Sequence, residues 1–396
     1  MSCLKTYVFT ILGVTLGSSI LAEEPIDQST FLGGPSSVGA DLSADDAAEP
    51  KTLRGWQKRK MDLRENFGFD IGGDLAILAQ RADNGESASS GVFRLYGRWT
   101  LTGRDTPETG SLVWKIENRT AFGDAPASLG PRLGYAGLTG TSFTDAGWFL
   151  APFYWEQYLK RGSAAFVFGR LDPLDFVDLS GYSGQWTRFQ NASLLVNSTI
   201  AFPDLGFGAG FGFKPNDQTV LGLTIHDANG NSGSVEWFPN GPEFFSQAYL
   251  SWSPDRTRRF DRAIHLTLWH LGEREDAGKP EDYGLAFSVN WMMDNGWMPF
   301  VRAGVSEGSV ARADRSFTAG TLYRPENGVA EFGFALGWER LSDTTLGEQR
   351  AAEAFFRWDA TDHIQITPSV QAIFDTPLSS GDSTKLVFGL RTRLTF

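Results

Sequence analysis

The chain has 396 residues, with 35 Lys plus Arg against 47 Asp plus Glu, a net charge of −12, 45 Gly, 31 Phe, 13 Trp and one Cys. That acidity argues against nucleic acid as a partner, because phosphate binding needs a basic surface. A mean hydropathy of −0.22, with no long apolar run after residue 22, argues against membrane-crossing helices, which need about 20 consecutive apolar residues.

Residues 1–22 read as a signal peptide: Lys5 gives the positive start, Tyr7 to Leu16 the apolar stretch and Ala22 the small residue at the cut, with Ile20 an imperfect site residue. The sole cysteine, Cys3, lies inside it. The mature chain is therefore expected to carry no disulfide, Cys-ligated metal or Cys nucleophile. Residues 23–50 are acidic and rich in Ser, Gly, Ala and Pro, the composition of a flexible segment. Residues 51–66 switch to strongly basic and suit a short helix with Leu53, Trp56 and Met61 towards one side. They are either a plug or lipid contact, or a solvated lead-in to the first strand.

From Phe67 onward, segments of about ten residues alternate apolar and polar side chains before a turn, the period-two signature of strands. Strands are expected at 67–80, 91–103, 111–122, 153–161, 163–171, 205–214, 218–227 and 244–253. Eight more are expected at 262–272, 282–293, 297–306, 315–324, 329–341, 350–359, 362–374 and 384–396. The reading is all-β: a transmembrane antiparallel barrel of about 16 strands over residues 67–396, an even number as single-chain bacterial barrels have. A barrel of about that size encloses an aqueous lumen.

The final segment shows the two faces best. Leu386, Phe388, Leu390, Thr392, Leu394 and Phe396 form one; Lys385, Val387, Gly389, Arg391, Arg393 and Thr395 form the other. A barrel turns the first to lipid and the second to water. The same parity puts Arg94, Tyr96 and Arg98 opposite Phe93, Leu95 and Trp99. It puts Lys115, Glu117 and Arg119 opposite Leu112, Trp114 and Ile116.

Two connections, 123–152 and 172–204, are too long for turns. The second, holding Trp186, Phe189 and Asn191, is the candidate for a loop folded inward to constrict the lumen; an alternative makes 193–202 a strand. The glycine-alternating run 206–212 reads as a strand with one bare face rather than a phosphate loop. Asp227 to Asn231 begins like a calcium loop but has Ser232 and Phe238 where Gly and Glu are needed, so it reads as a hairpin turn. His265 and His270 are an odd number apart and fall on opposite faces of a strand. No catalytic residue, metal site or cofactor is expected, which leaves a barrel-embedded enzyme as a distant alternative.

Several runs carry a family resemblance: LRGWQKRKMDLRENFGFDIGGDLAI into the first strand, GRLDPLDFVD after the fifth, AFPDLGFGAGFGF, ITPSVQAIFDTP and the closing LVFGLRTRLTF. Over roughly residues 51–396 the chain resembles the carbohydrate-selective outer-membrane porins of the OprB type. The long acidic segment 23–50 and the basic entry depart from that pattern. The resemblance implies a 16-stranded barrel in the outer membrane of a Gram-negative bacterium, passing small sugars passively. It makes small carbohydrates the solutes, outer-membrane lipid the surroundings, and a general or other-solute porin the alternative.

Pore-lining candidates are Asp70, Asp74, Arg94, Tyr96, Arg98, Lys115, Glu117, Arg119, Arg391 and Arg393, because carboxylates and guanidiniums bond sugar hydroxyls and opposed charges set selectivity. Since the last strand must pair with the first, these groups are expected to form one charged wall. Trp186 and Phe189 either stack a sugar or pin the loop. Phe396 ends the strand through which the barrel-assembly machinery would take the chain; monomer and trimer both stay open.

Overall fold

The computed structural model describes residues 32–46, 54–326, 328–379 and 384–396. The signal peptide expected at 1–22 lies outside them. Sixteen antiparallel strands close into a barrel, each paired with its chain neighbours and the last with the first. The first eight are β1 Phe69–Ala82, β2 Ser87–Thr102, β3 Gly110–Ala121, β4 Gly147–Leu159, β5 Ala164–Leu171, β6 Gly206–Asn216, β7 Thr219–Asp227 and β8 Phe244–Trp252. The second eight are β9 Arg262–Leu271, β10 Asp282–Trp291, β11 Trp297–Ser306, β12 Ala313–Tyr323, β13 Ala330–Leu341, β14 Glu348–Asp359, β15 Ile364–Ile373 and β16 Lys385–Thr395.

Alternation decides which face points where. On β13, Phe332, Phe334 and Leu336 are exposed, while Glu331, Ala335 and Glu339 on the opposite parity are buried. Burying carboxylates and exposing aromatics inverts a water-soluble protein and fits a wall between lipid and a polar interior. On β9, His265 is buried inside and His270 is exposed outside, where it meets Glu281 at 2.9 Å. Among the described residues no helix is long and apolar enough to cross a membrane; the strands form the wall.

β4 begins six residues earlier than the alternation suggests. Trp114 pairs with Phe153 but Ile116 with Leu150, so Ala151 and Pro152 together oppose Lys115. This bulge shifts the phase, turning Trp148 and Leu150 outward on one parity and Phe153 on the other. A proline cannot donate to the ladder, which suits a bulge. The connection before β4 is therefore 122–146, and it carries a short helix, Pro126–Arg132. No strand forms at 193–202; Asn191 caps a single helical turn at Ala192–Leu195 by accepting from the Ser193 amide at 3.0 Å. Asp227 does not begin a tight hairpin. Its carboxylate accepts from the amides of Asn229 and Phe238 and organises a 228–243 connection.

The acidic segment also differs from expectation. Within 23–50, Val38–Asp46 form a helix, α1, with Leu32, Val38, Asp41 and Leu42 buried. Composition argues for flexibility, but Val38, Asp41 and Leu42 lie three and four residues apart and share one helix face. The basic lead-in is helical, as α2 at Arg54–Phe67, and packs against β1 with Met61 exposed.

Candidate functional site

The inner wall is built by lateral pairing of β16, β1, β2 and β3. Asp74 sits opposite Arg94, Arg94 opposite Glu117, and Tyr96 opposite Lys115. A row of alternating charge therefore crosses three strands. Arg94 is fully buried and held by two carboxylates: its Nε donates to Asp74 at 2.8 Å and its Nη1 to Asp41 of α1 at 2.9 Å. Arg393 reaches diagonally from β16 and donates to the same Asp74 at 2.6 and 3.0 Å. Glu117 accepts from Arg119 at 2.7 Å and lies 3.9 Å from the Lys115 ammonium.

The expected single wall divides. Asp74, Arg94, Tyr96, Lys115, Glu117, Arg119 and Arg393 stay together. Arg98 turns to Glu156 of β4 at 3.3 Å, and Tyr158 donates to the same carboxylate at 3.3 Å. Asp70 pairs with Arg64 of α2 at the barrel's end rather than with the row. Arg391 donates to the main-chain carbonyls of Gln185 and Arg188.

Those carbonyls belong to the 172–205 connection, which bonds inner-facing side chains from β10 to β16. Ser180 meets Ser288 on β10, and the Gln190 and Asn191 amides donate to Glu353 on β14 at 2.9 Å. Asn191 also donates to Gln371 on β15 at 3.1 Å. Arg302 of β11 donates to the carbonyls of Ser193, Leu195 and Val196 and to Asp178. Phe189 is fully buried between Phe300 and Phe355. Trp186 lies 4.2 Å under the Arg94 guanidinium and edge-on to Phe143. Both aromatics, as placed, fasten this segment to the wall.

Sequence reading missed Asp41, Glu156, Asp172 and Asp175. Glu156 was available from parity, since Phe153 and Trp155 mark the outer face of β4. Asp175 follows Asp172-Pro173 in a turn where Asp172 accepts from the Leu174 amide at 3.0 Å. It is 1% exposed and one carboxylate oxygen has no hydrogen-bond partner. Burial pushes its carboxyl well above the usual carboxylate range; Lys115 opposes this, while Asp172, Asp41 and Glu117 add to it. A carboxyl raised in the fold costs nothing below its unfolded pKa, about 3.9, and destabilises increasingly as pH rises through its folded value. Asp175→Asn is therefore expected to stabilise the barrel at pH 8 and to make no difference near pH 3, read from thermal melts in detergent. A variant no more stable at pH 8 would contradict the assigned burial.

Residues 240–396, from β8 through β16, match the family model described as carbohydrate-selective porin, OprB family. Over that span, under half of the chain, the sequence is similar to the OprB family. The likeness of the whole barrel to solved structures agrees with this. Pseudomonas putida OprB at high pH superposes with a TM-score of 0.70 at 13% identity, covering 86% of this chain and 97% of that one. Its low-pH structure gives 0.56 at 11%, covering 88% and 99%. A mutant of the Rh. blastica porin gives 0.53 at 12%, covering 83% and 100%. At these identities the structural likenesses establish the fold: a closed 16-stranded porin barrel. No curated protein matches the chain by sequence. The matched span holds Arg391 and Arg393, whereas the Asp74–Arg94–Glu117 row lies before it. The matched family is one of porins, and the fold is that of a porin barrel.

Proposed function

We propose that this chain is a passive outer-membrane channel for small sugars. The observation that carries the reading is the closed barrel whose inner wall sets Asp74, Arg94, Glu117, Arg119 and Arg393 side by side, joined to the OprB match. Such a wall offers carboxylate acceptors and guanidinium donors to hydroxyls, and opposed charges set a field across the path. Segment 172–205 narrows the lumen, supported by its bonds to β10–β16. No step in passive diffusion calls for a cofactor. The chain is exported by its signal peptide into the outer membrane of a Gram-negative bacterium. There the apolar face meets lipid and the assembly machinery takes the terminal strand. The assembly state, monomer or trimer, is read from cross-linking in native membranes.

In planar bilayers the refolded protein is expected to give stable conductance steps that added oligosaccharide blocks. Replacing Arg94, Arg98 and Arg119 together by Ala is expected to move the reversal potential towards cation preference. Silent bilayers end the channel reading. Conductance indifferent to sugars leaves a general porin, and an unchanged reversal potential removes this wall from the path.

A further inference from the structure

Residues 32–46 run against the inside of the barrel, where a solute would pass. Leu32, Val38 and Leu42 are buried in one cluster with Tyr96, Tyr154 and Tyr249, inner-face residues of β2, β4 and β8. Ser37 caps α1, its hydroxyl accepting from the Ala40 amide at 3.4 Å. The Gly34 amide donates to the Asp175 carbonyl at 2.7 Å, and Arg259 donates to the Gly33 carbonyl. Asp41 completes the attachment on Arg94, at 2.9 Å to Nη1 and 3.4 Å to Nη2. We infer that residues 32–46 are a displaceable stopper of this lumen, with Asp41 as its charged latch.

Three features support displacement as well as occupancy. None of the barrel's strand pairs uses this segment, so its departure leaves the wall intact. Its attachment is three apolar side chains, a few main-chain bonds and the ion pairs of Asp41 with Arg94 and, at 4.0 Å, Arg393, which places it at the low-stability end of the molecule. Above all, its departure leaves neither Arg94 nor Arg393 alone. Arg94 keeps Asp74 through Nε at 2.8 Å, and Arg393 keeps Asp74 at 2.6 Å. Breaking a buried pair is costly chiefly when one partner is left alone.

The charge balance predicts more than widening. With Asp41 in place, two guanidiniums, Arg94 and Arg393, face two carboxylates, Asp41 and Asp74. Without it, the same two guanidiniums face Asp74 alone, and the set gains one net positive charge. An open lumen would therefore be wider and also more favourable to anions.

This inference rests on the channel reading, and its test separates the two. Deleting residues 32–46 from the otherwise full chain is expected to raise single-channel conductance in potassium chloride severalfold. It is also expected to move the reversal potential towards anions. A deletion channel with the parent's conductance and selectivity overturns the stopper and leaves the channel standing. A deletion that folds, by its heat-modifiable gel band, yet stays silent overturns both. A second variant tests displacement without removing anything. A Cβ at Gly34 would lie 2.8 Å from Leu179 Cδ2, so Gly34→Cys with Leu179→Cys, in a Cys3→Ser background, can cross-link the segment in place. Oxidation is expected to hold the low-conductance level and dithiothreitol to release it. Equal currents in the oxidised and reduced forms would overturn the inference.

Discussion

Glu331→Ala is expected to produce the largest loss of stability of any single substitution in the inner wall. Glu331 is fully buried on β13 and accepts from three arginines: Arg188 at 2.9 Å, Arg324 at 2.6 Å and Arg357 at 3.2 Å. Arg324 retains Asp261 and Arg357 retains Asp359. Arg188 retains only the Gly181 carbonyl of its own segment, and burial already pushes its guanidinium below the ordinary range while Glu331 opposes that. Removing the shared carboxylate leaves like charges facing one another in a poorly solvated place, a change of about 3–5 kcal/mol. Glu331→Gln keeps acceptor geometry for one arginine and is expected to fall between. The check is the temperature at which the compact band on a detergent gel converts to the unfolded one. A midpoint equal to the parent's would mean that solvent reaches this cluster.

The second large effect concerns assembly. Phe396 donates from its amide to the Gly73 carbonyl at 2.9 Å, and Gly73 returns the bond at 3.1 Å. Its ring covers Gly73 so closely that a Cβ there would lie 2.6 Å from it, and it stacks on Phe93 with centroids 6.2 Å apart. Phe396→Ala keeps both main-chain bonds and loses the ring contact, about 0.5–1.5 kcal/mol. Gly73→Leu displaces the ring from the other side. Both are expected to lower the yield of barrel refolded into detergent modestly and to a similar degree. In cells, if the assembly machinery takes the terminal strand as proposed above, Phe396→Ala is expected to lower surface-assembled protein far more than Gly73→Leu, because only the first removes the terminal aromatic. Equal losses in cells would mean that packing at the seam, rather than recognition of the residue, sets the yield.

Most of the wall was legible because period two survives in nearly every strand, and parity alone assigned Arg94, Lys115, Glu117, Arg391 and Arg393 to one face. It failed at the start of β4, where the Ala151-Pro152 bulge reverses the phase within one strand. Parity names the face but not the partner. Arg391 and Arg393 share a face, yet one ends on loop carbonyls and the other on Asp74, because the barrel brings different material opposite each. Asp41 was hidden for another reason. Its surroundings are compositionally those of a tether, and a single helix face of Val38, Asp41 and Leu42 is a faint signal against that background. Glu331 and Glu339 were readable from the aromatic residues Phe332 and Trp338 beside them, but nothing local reveals that one of Glu331's arginines, Arg188, comes from a connection 143 residues away.

The pairing of Asp74 with Thr395 and of Ala82 with Val387 has a temporal consequence. Every other ladder joins neighbours in the chain and can form as soon as both strands exist, whereas this one waits for nearly the whole polypeptide. Until then β1 has one unpaired side and so does the newest strand, and open strand edges invite association with other chains. A nascent or truncated molecule is thus chemically distinguishable from a finished one by a single property, its free edges. The same ladder that completes the wall also erases the mark by which a proteolytic or chaperone system would recognise unfinished product.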